Sequence, residues 1–455
     1  MHPDPIRGPH GSGQEVRGPG MGLEEFFKAI NRLSWAISLL AVQQLGNTMS
    51  SLFAHPGHHD DSARRGNELG NTFPHAMRPD MTFQSDAFSF DAFNPRTMFR
   101  AGIQLLQQSA DVLKTANPQA DGRIAWQELQ NKLEAFSLFE QVDSELNISS
   151  RALCSLPEWI DRARLGDSYR ALWLMEGLGH YYSDLCLRRG DTPSAILSGP
   201  LPAASLVPLH AGMGLAFAEW LLPAIEQNPA ASLHEFIELC KANSESGYFG
   251  VACEALGLAT RNLFPHLLAP IDEALSLMGE ELVAYFWHGA GRAIYFSPTN
   301  FLPWRAPPWQ GLESCFREPP HKLGQDNAVA GFCWALTLVN VREPQIIEAF
   351  LKHHAGELTE NDACANGIRS ALIVWADATS CARCFDALRR YQPEHSVAAL
   401  WQKHIRQACE KAMEYGGVLR SGRAMVELFR YQSLGELIAR ANHGDTETRR
   451  KAGRE

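Results

Sequence analysis

The chain has 455 residues, 45% of them apolar and 20% charged, enough to bury a sizeable core. Its formal net charge of -10 excludes a broad nucleic-acid surface, because phosphate binding needs a basic stripe and none is visible. No phosphate loop, dinucleotide fingerprint, zinc motif or nucleophile elbow can be read from the residues, so the expectation includes no cofactor and no metal.

Residues 1–23 are rich in Pro, Gly and His and are expected to be disordered, with Met21 as an alternative start. Over residues 24–53, Phe26, Ile30, Leu33, Ile37 and Leu40 step by four and three along one face of an amphipathic helix. That helix suits docking on the main body or on a second subunit. Peripheral membrane contact is the alternative, with Trp35 and two nearby cations in its favour. Residues 54–95 read as a linker; its His55, His58, His59, Asp60 and Asp61 have metal-ligand chemistry but no ligand spacing. A helical hairpin is expected over 96–148, with stripes at Phe99, Ile103 and Leu106 and at Trp126, Leu129 and Leu133, broken at Asn117 to Gly122.

From 149 to 443 a small-residue signature recurs roughly every 34 to 43 positions. Its copies are Glu176-Gly-Leu-Gly179, Ala211-Gly-Met-Gly214, Glu254-Ala-Leu-Gly257, His288-Gly-Ala-Gly291 and, more loosely, Ala328-Val-Ala-Gly331. Glycine costs about 1 kcal/mol in a helix interior relative to alanine, so its repeated use there predicts close backbone approach. The copies alternate with ordinary amphipathic stretches such as Ser232 to Lys241, Ile271 to Met278 and Pro344 to His353. The expected fold is all-α: a helical-repeat, α-solenoid-like array of antiparallel helix pairs with an N-terminal helical extension. Gly279, Gly356 and Gly416-Gly417 are expected at helix caps or tight connections, and residues 444–455 form a charged tail.

Polar residues flank the glycines. Glu176 and His180 share one helical face, as do His288 and Arg292, on helices otherwise apolar. Glu254 opens the third copy, and His210 precedes the second at an expected helix start. Convergence of these residues on a cavity would supply acid–base or anion-binding chemistry; pairing with one another across helices would fix the register instead. A proline-stiffened aromatic segment, Ser297 to His321 with Trp304 inside it, leaves the helix of His288 and is a candidate cover for that helix's end. The candidate ligand set is Glu176, His180, His210, Glu254, His288, Arg292 and Trp304.

Ten cysteines are scattered at irregular spacings. With no signal-peptide pattern, reduced core thiols and a cytoplasmic location are expected, peripheral to the inner membrane if the 24–53 helix meets lipid. Cys381 and Cys384 form the one pair with redox or metal spacing, without a second such pair to support it.

The blocks Met175-Glu-Gly-Leu-Gly179, His210 to Trp220, Ser246-Gly-Tyr-Phe-Gly250 and Phe286 to Phe296 resemble, in order, those of the DUF1702 family, over about residues 150 to 410. That family is associated with enediyne polyketide gene clusters. The resemblance implies an accessory role in specialised metabolism and singles out Glu176, His210, His288, Gly289, Gly291 and Arg292. Two functions are therefore expected as alternatives. One is an accessory protein that binds or processes a hydrophobic small molecule in a helical cavity. The other is a non-catalytic helical scaffold for a partner protein.

Overall fold

The computed structural model describes residues 120–148, 156–189, 196–197, 199–296, 311–360, 362–379 and 382–442. The expectations for residues 1–95, the first arm of the hairpin, the aromatic segment 297–310, Cys381 and the tail lie outside the described residues. Among those described, every regular element is a helix.

Helix α1 spans Ala120–Glu140 and begins inside the expected break, since Asp121 and Gly122 are already helical. Then follow α2 (Leu156–Ala163), α3 (Ser168–Arg188), α4 (Ala203–Ile225), α5 (Pro229–Asn243), α6 (Phe249–Leu263), α7 (Leu268–Met278) and α8 (Glu280–Tyr295). The chain continues through α9 (Gly311–Arg317), α10 (Lys322–Val339), α11 (Pro344–His353), α12 (Asp362–Thr379) and α13 (Gln407–Ser421). Local chemistry sets several boundaries. Asp167 caps α3 by accepting the Arg170 N–H at 3.2 Å, and Pro229 and Pro344 occupy first-turn positions where no amide donor is needed. Gly279 joins α7 directly to α8 at φ 154°, a backbone conformation that a side chain would strain.

Five of the six most deeply buried helices, α3, α4, α6, α8 and α10, carry the glycine copies and lie side by side in chain order. The sixth, α12, follows α10 and reaches back to α3 and α4, where the rings of Tyr169 and Trp375 meet edge to face at 6.4 Å. Glycines make these seams. A Cβ on Gly212 of α4 would collide with the Glu176 carbonyl of α3; one on Gly289 of α8 would collide with the Glu254 carbonyl of α6. Gly331 meets the His288 carbonyl in the same way. Neighbouring helices are thus packed backbone on backbone, which only a missing side chain permits. Gly367 of α12 repeats the contact against Ala330, revealing a sixth copy, Cys364-Ala-Asn-Gly367, that sequence inspection missed.

Outer helices cover this row: α5 and α7 pack on each other, on α6 and, respectively, on α4 and α8, while α9 lies on α8 and α10. Two expectations about glycine fail. Gly356 sits within a short helix, Ala355–Glu360, and Gly416-Gly417 lie inside α13, where helix packing leaves open space beside Gly417. Helix α4 is the one described helix long and apolar enough to cross a membrane, but 78% of its apolar window is buried by its neighbours. A helix apolar all round is what a row enclosed on both faces requires.

Candidate functional site

Four of the seven candidate residues meet at one point. Glu254 of α6 receives two partners from α8: His288 Nδ1 lies 2.8 Å from Oε1, and Arg292 Nη1 donates to Oε2 at 2.8 Å. Arg292 Nη2 donates to Glu176 Oε1 of α3 at 3.1 Å, so one guanidinium joins three inner helices. The side chains of Glu254, His288 and Arg292 are at most 2% exposed, and Glu176 is the outermost member at 9%.

The walls are aromatic. Arg292 lies over the Trp334 ring at 4.5 Å from its centre, and His288 meets Trp334 and Phe429 edge to face. Phe429 comes from a tight turn, Met425–Phe429, that the chain lays over the row after α13. Its neighbours fasten it there: Val426 N–H donates to Gly247 C=O at 2.9 Å, and Tyr431 N–H donates to Asn327 Oδ1 at 2.7 Å. Asn366 of the sixth copy donates to the Gln432 carbonyl. Trp334 and Phe429 were missed because an apolar residue in an apolar run carries no mark of what it faces.

Burial and partners drive the two carboxylates apart. Burial raises Glu254, but Arg292 and His288 together outweigh it and hold the group below the ordinary carboxylate range. Burial also raises Glu176, and there it prevails over Arg292, its main counter-charge. His288 is lowered by burial against the pull of Glu254, which favours a neutral ring whose Nδ1–H donates to that carboxylate. For Arg292 burial lowers the pKa, and Glu254 and Glu176 more than restore it. Its Nε finds no hydrogen-bond partner among the described residues, so the Trp334 face supplies contact there instead.

The other candidates go elsewhere. His180, one turn from Glu176, points to α4 and lies 3.0 Å from Glu219 Oε2, a carboxylate 29% exposed. The i,i+4 spacing therefore did not determine its partner. His210 stands in the middle of α4, since the helix begins at Ala203 and runs through Pro208; the expected helix start there is wrong. It donates from Nδ1 to the Leu206 carbonyl at 2.7 Å, accepts the Glu245 N–H at Nε2 at 3.0 Å, and stacks on Tyr248. Both ring nitrogens are thus occupied, Nδ1 within α4 and Nε2 in joining α4 to the loop before α6. Trp304 lies outside the described residues.

Sequence reading also missed a second polar cluster. Glu128 and Lys132 of α1 form an ion pair at 3.2 Å, and both side chains are at most 1% exposed. Lys132 Nζ sits 3.9 Å from the centre of the Tyr295 ring, while Asn340 donates to Tyr295 Oη at 2.8 Å and accepts from Asn131 at 3.0 Å. An i,i+4 Glu–Lys pair in a sequence resembles a solvated helix face, which hid it. Elsewhere, Trp287 Nε1 donates to Asp272 at 2.6 Å and borders an open groove of about 450 Å³ with Arg261, Pro265, Glu318 and Pro320. Arg261 and Glu318 are already joined there by two bonds of 2.7 and 2.9 Å.

Among the described residues, no group of three or more His, Cys, Asp and Glu side chains is placed to hold a metal ion. Compared with protein-family models, with curated proteins and with solved structures, the chain matches none.

Proposed function

We propose that the chain is a non-catalytic helical scaffold, and that the Glu176–Arg292–Glu254–His288 network clamps its inner helices together. The carrying observation is that Arg292 bridges carboxylates from two other inner helices within 3.1 Å while almost fully buried. A buried ion cluster of this kind fixes which helices are neighbours and in what register. His210 supports the same reading, with both ring nitrogens bonded to backbone. The scaffold offers its outer surface to a partner protein, and the resemblance to DUF1702 blocks suggests that this partner belongs to specialised metabolism.

A second reading rests on the split between the carboxylates, one raised and one lowered on the same guanidinium, the pattern that acid–base sites use. In it, the network would serve a hydrophobic intermediate reaching it from the Glu176 side. Thermal melting of His288→Ala and Arg292→Ala separates the two. The scaffold reading expects both variants to melt far below the parent chain. Unchanged melting, together with a small molecule seen by native mass spectrometry in the parent and missing in the variants, would favour the intermediate-binding site.

A further inference from the structure

We propose that α1 is a releasable latch on one end of the inner-helix row. Apart from one glycine contact near its C-terminal end, at Gly177, its docking face differs from the glycine seams of the row. Glu128, Asn131 and Lys132 are all at most 3% exposed and lie against Tyr169 of α3, Tyr295 of α8 and Asn340 at the end of α10. Desolvating an ion pair offsets much of what its attraction returns, so this face holds less firmly than an apolar one of equal area.

The placement of the charges makes release possible. Glu128 and Lys132 are both on α1, so the pair leaves together and each member regains water without stranding an opposite charge behind it. The surface left behind holds no buried charge, since its one cation over Tyr169, Arg342, is a third exposed and keeps Asp167. It retains its own bonds: Asn340 to Tyr295 at 2.8 Å and Tyr169 to the Val339 carbonyl at 2.9 Å. Lifting α8 from α3 and α6 would instead separate Arg292 from Glu176 and Glu254 and leave unpaired charges buried. The electrostatic cost of separation is therefore lower at the α1 seam than at the α8 seam.

The motion has a natural hinge and catch. Gly177 of α3 receives the Phe139 backbone near the C-terminal end of α1, a close contact that anchors that end while the preceding turns lift. Arg342 reaches Glu134 and Asp167 at the rim, where all three side chains are at least a third exposed, so salt weakens the catch. Release would bare an aromatic and amide face on α3, α8 and the α10 end.

Hydrogen exchange of the full-length chain, followed by mass spectrometry, tests this. Amides of residues 120–134 should exchange at least about tenfold faster than those of residues 280–295. Arg342→Ala should speed the first set and leave the second unmoved, whereas Glu128→Leu/Lys132→Met should slow the first set. Equal protection of the two segments in the parent chain overturns the latch, as does an Arg342→Ala variant with unchanged exchange over 120–134. A folded double variant that exchanges no more slowly also overturns it; should that variant fail to fold, Arg342→Ala decides.

Discussion

Gly289 and Glu254 are joined twice over. The Glu254 carbonyl lies where a Cβ of Gly289 would stand, and the Glu254 carboxylate receives His288, the residue just before that glycine. Close approach and polar clamp are thus one device. The glycine lets α8 come near enough for short side-chain bonds, and those bonds hold the backbones in contact.

Gly289→Ala should therefore destabilise the fold by at least about 3 kcal/mol, the scale of an overpacked core site whose neighbour is backbone and cannot yield. Gly417→Ala is the control, since nothing lies within 4 Å of its added methyl and it sits inside α13. It should stabilise by about 0.5 to 1 kcal/mol. Denaturant midpoints of the two variants measure both effects, and similar losses in both would show that the seams are looser than described.

Arg292→Met should cost about 3 to 5 kcal/mol at neutral pH, because it leaves Glu254 and Glu176 buried without their cation. The variant should recover stability as pH falls, since protonating either carboxylate removes the uncompensated charge. Melting temperatures between neutral and mildly acidic pH check this; a variant that weakens in step with the parent would refute it.

His210 predicts an acid-side loss of stability. Burial lowers its pKa to about 4, and both nitrogens are engaged only in the neutral ring. In the unfolded chain the group takes up its proton near the ordinary value of about 6.5, so the unfolded state binds more protons between the two values. The contribution, about 3 kcal/mol, is complete above about 6.5 and is lost as pH falls toward 4. His210→Gln should flatten the stability profile in that window; an unchanged slope would assign the titration elsewhere.

Thiol labelling should follow burial. Cys240, Cys253, Cys315, Cys333, Cys364 and Cys409 are buried and should stay unmodified in the native chain, whereas Cys186 and Cys384 are partly exposed. Burial also pushes the Cys409 thiol up to about 12, leaving it little thiolate at neutral pH. Mass-spectrometric mapping after brief alkylation checks the order. Early modification of Cys333 or Cys364 would mean that the α10–α12 seam opens.

The helices and the glycine seams were legible because helix propensity and a recurring small residue are local facts. The sixth copy escaped since Cys364, Ala365 and Asn366 disguise it, and only the contact of Gly367 with Ala330 exposes its role. Gly416 and Gly417 misled in the other direction, because a glycine pair looks the same in a turn and in an unpacked stretch of helix.

Taken alone, the sequence determined an all-α chain whose inner helices must touch through glycine, and it marked Glu176, Glu254, His288 and Arg292 as polar residues in apolar surroundings. Only the tertiary structure decided their partners. Glu176 shares a helical face with His180, yet it bonds Arg292, 116 positions along the chain, while His180 turns to Glu219. It also decided that Glu128 and Lys132, spaced like a solvated pair, are buried on the inner face of α1. The physical reason is the same in each case. Propensity and close-packing demands act within a turn or two, but the identity of an ion's partner depends on how the row of helices brings α12 back to α3, and no short window contains that.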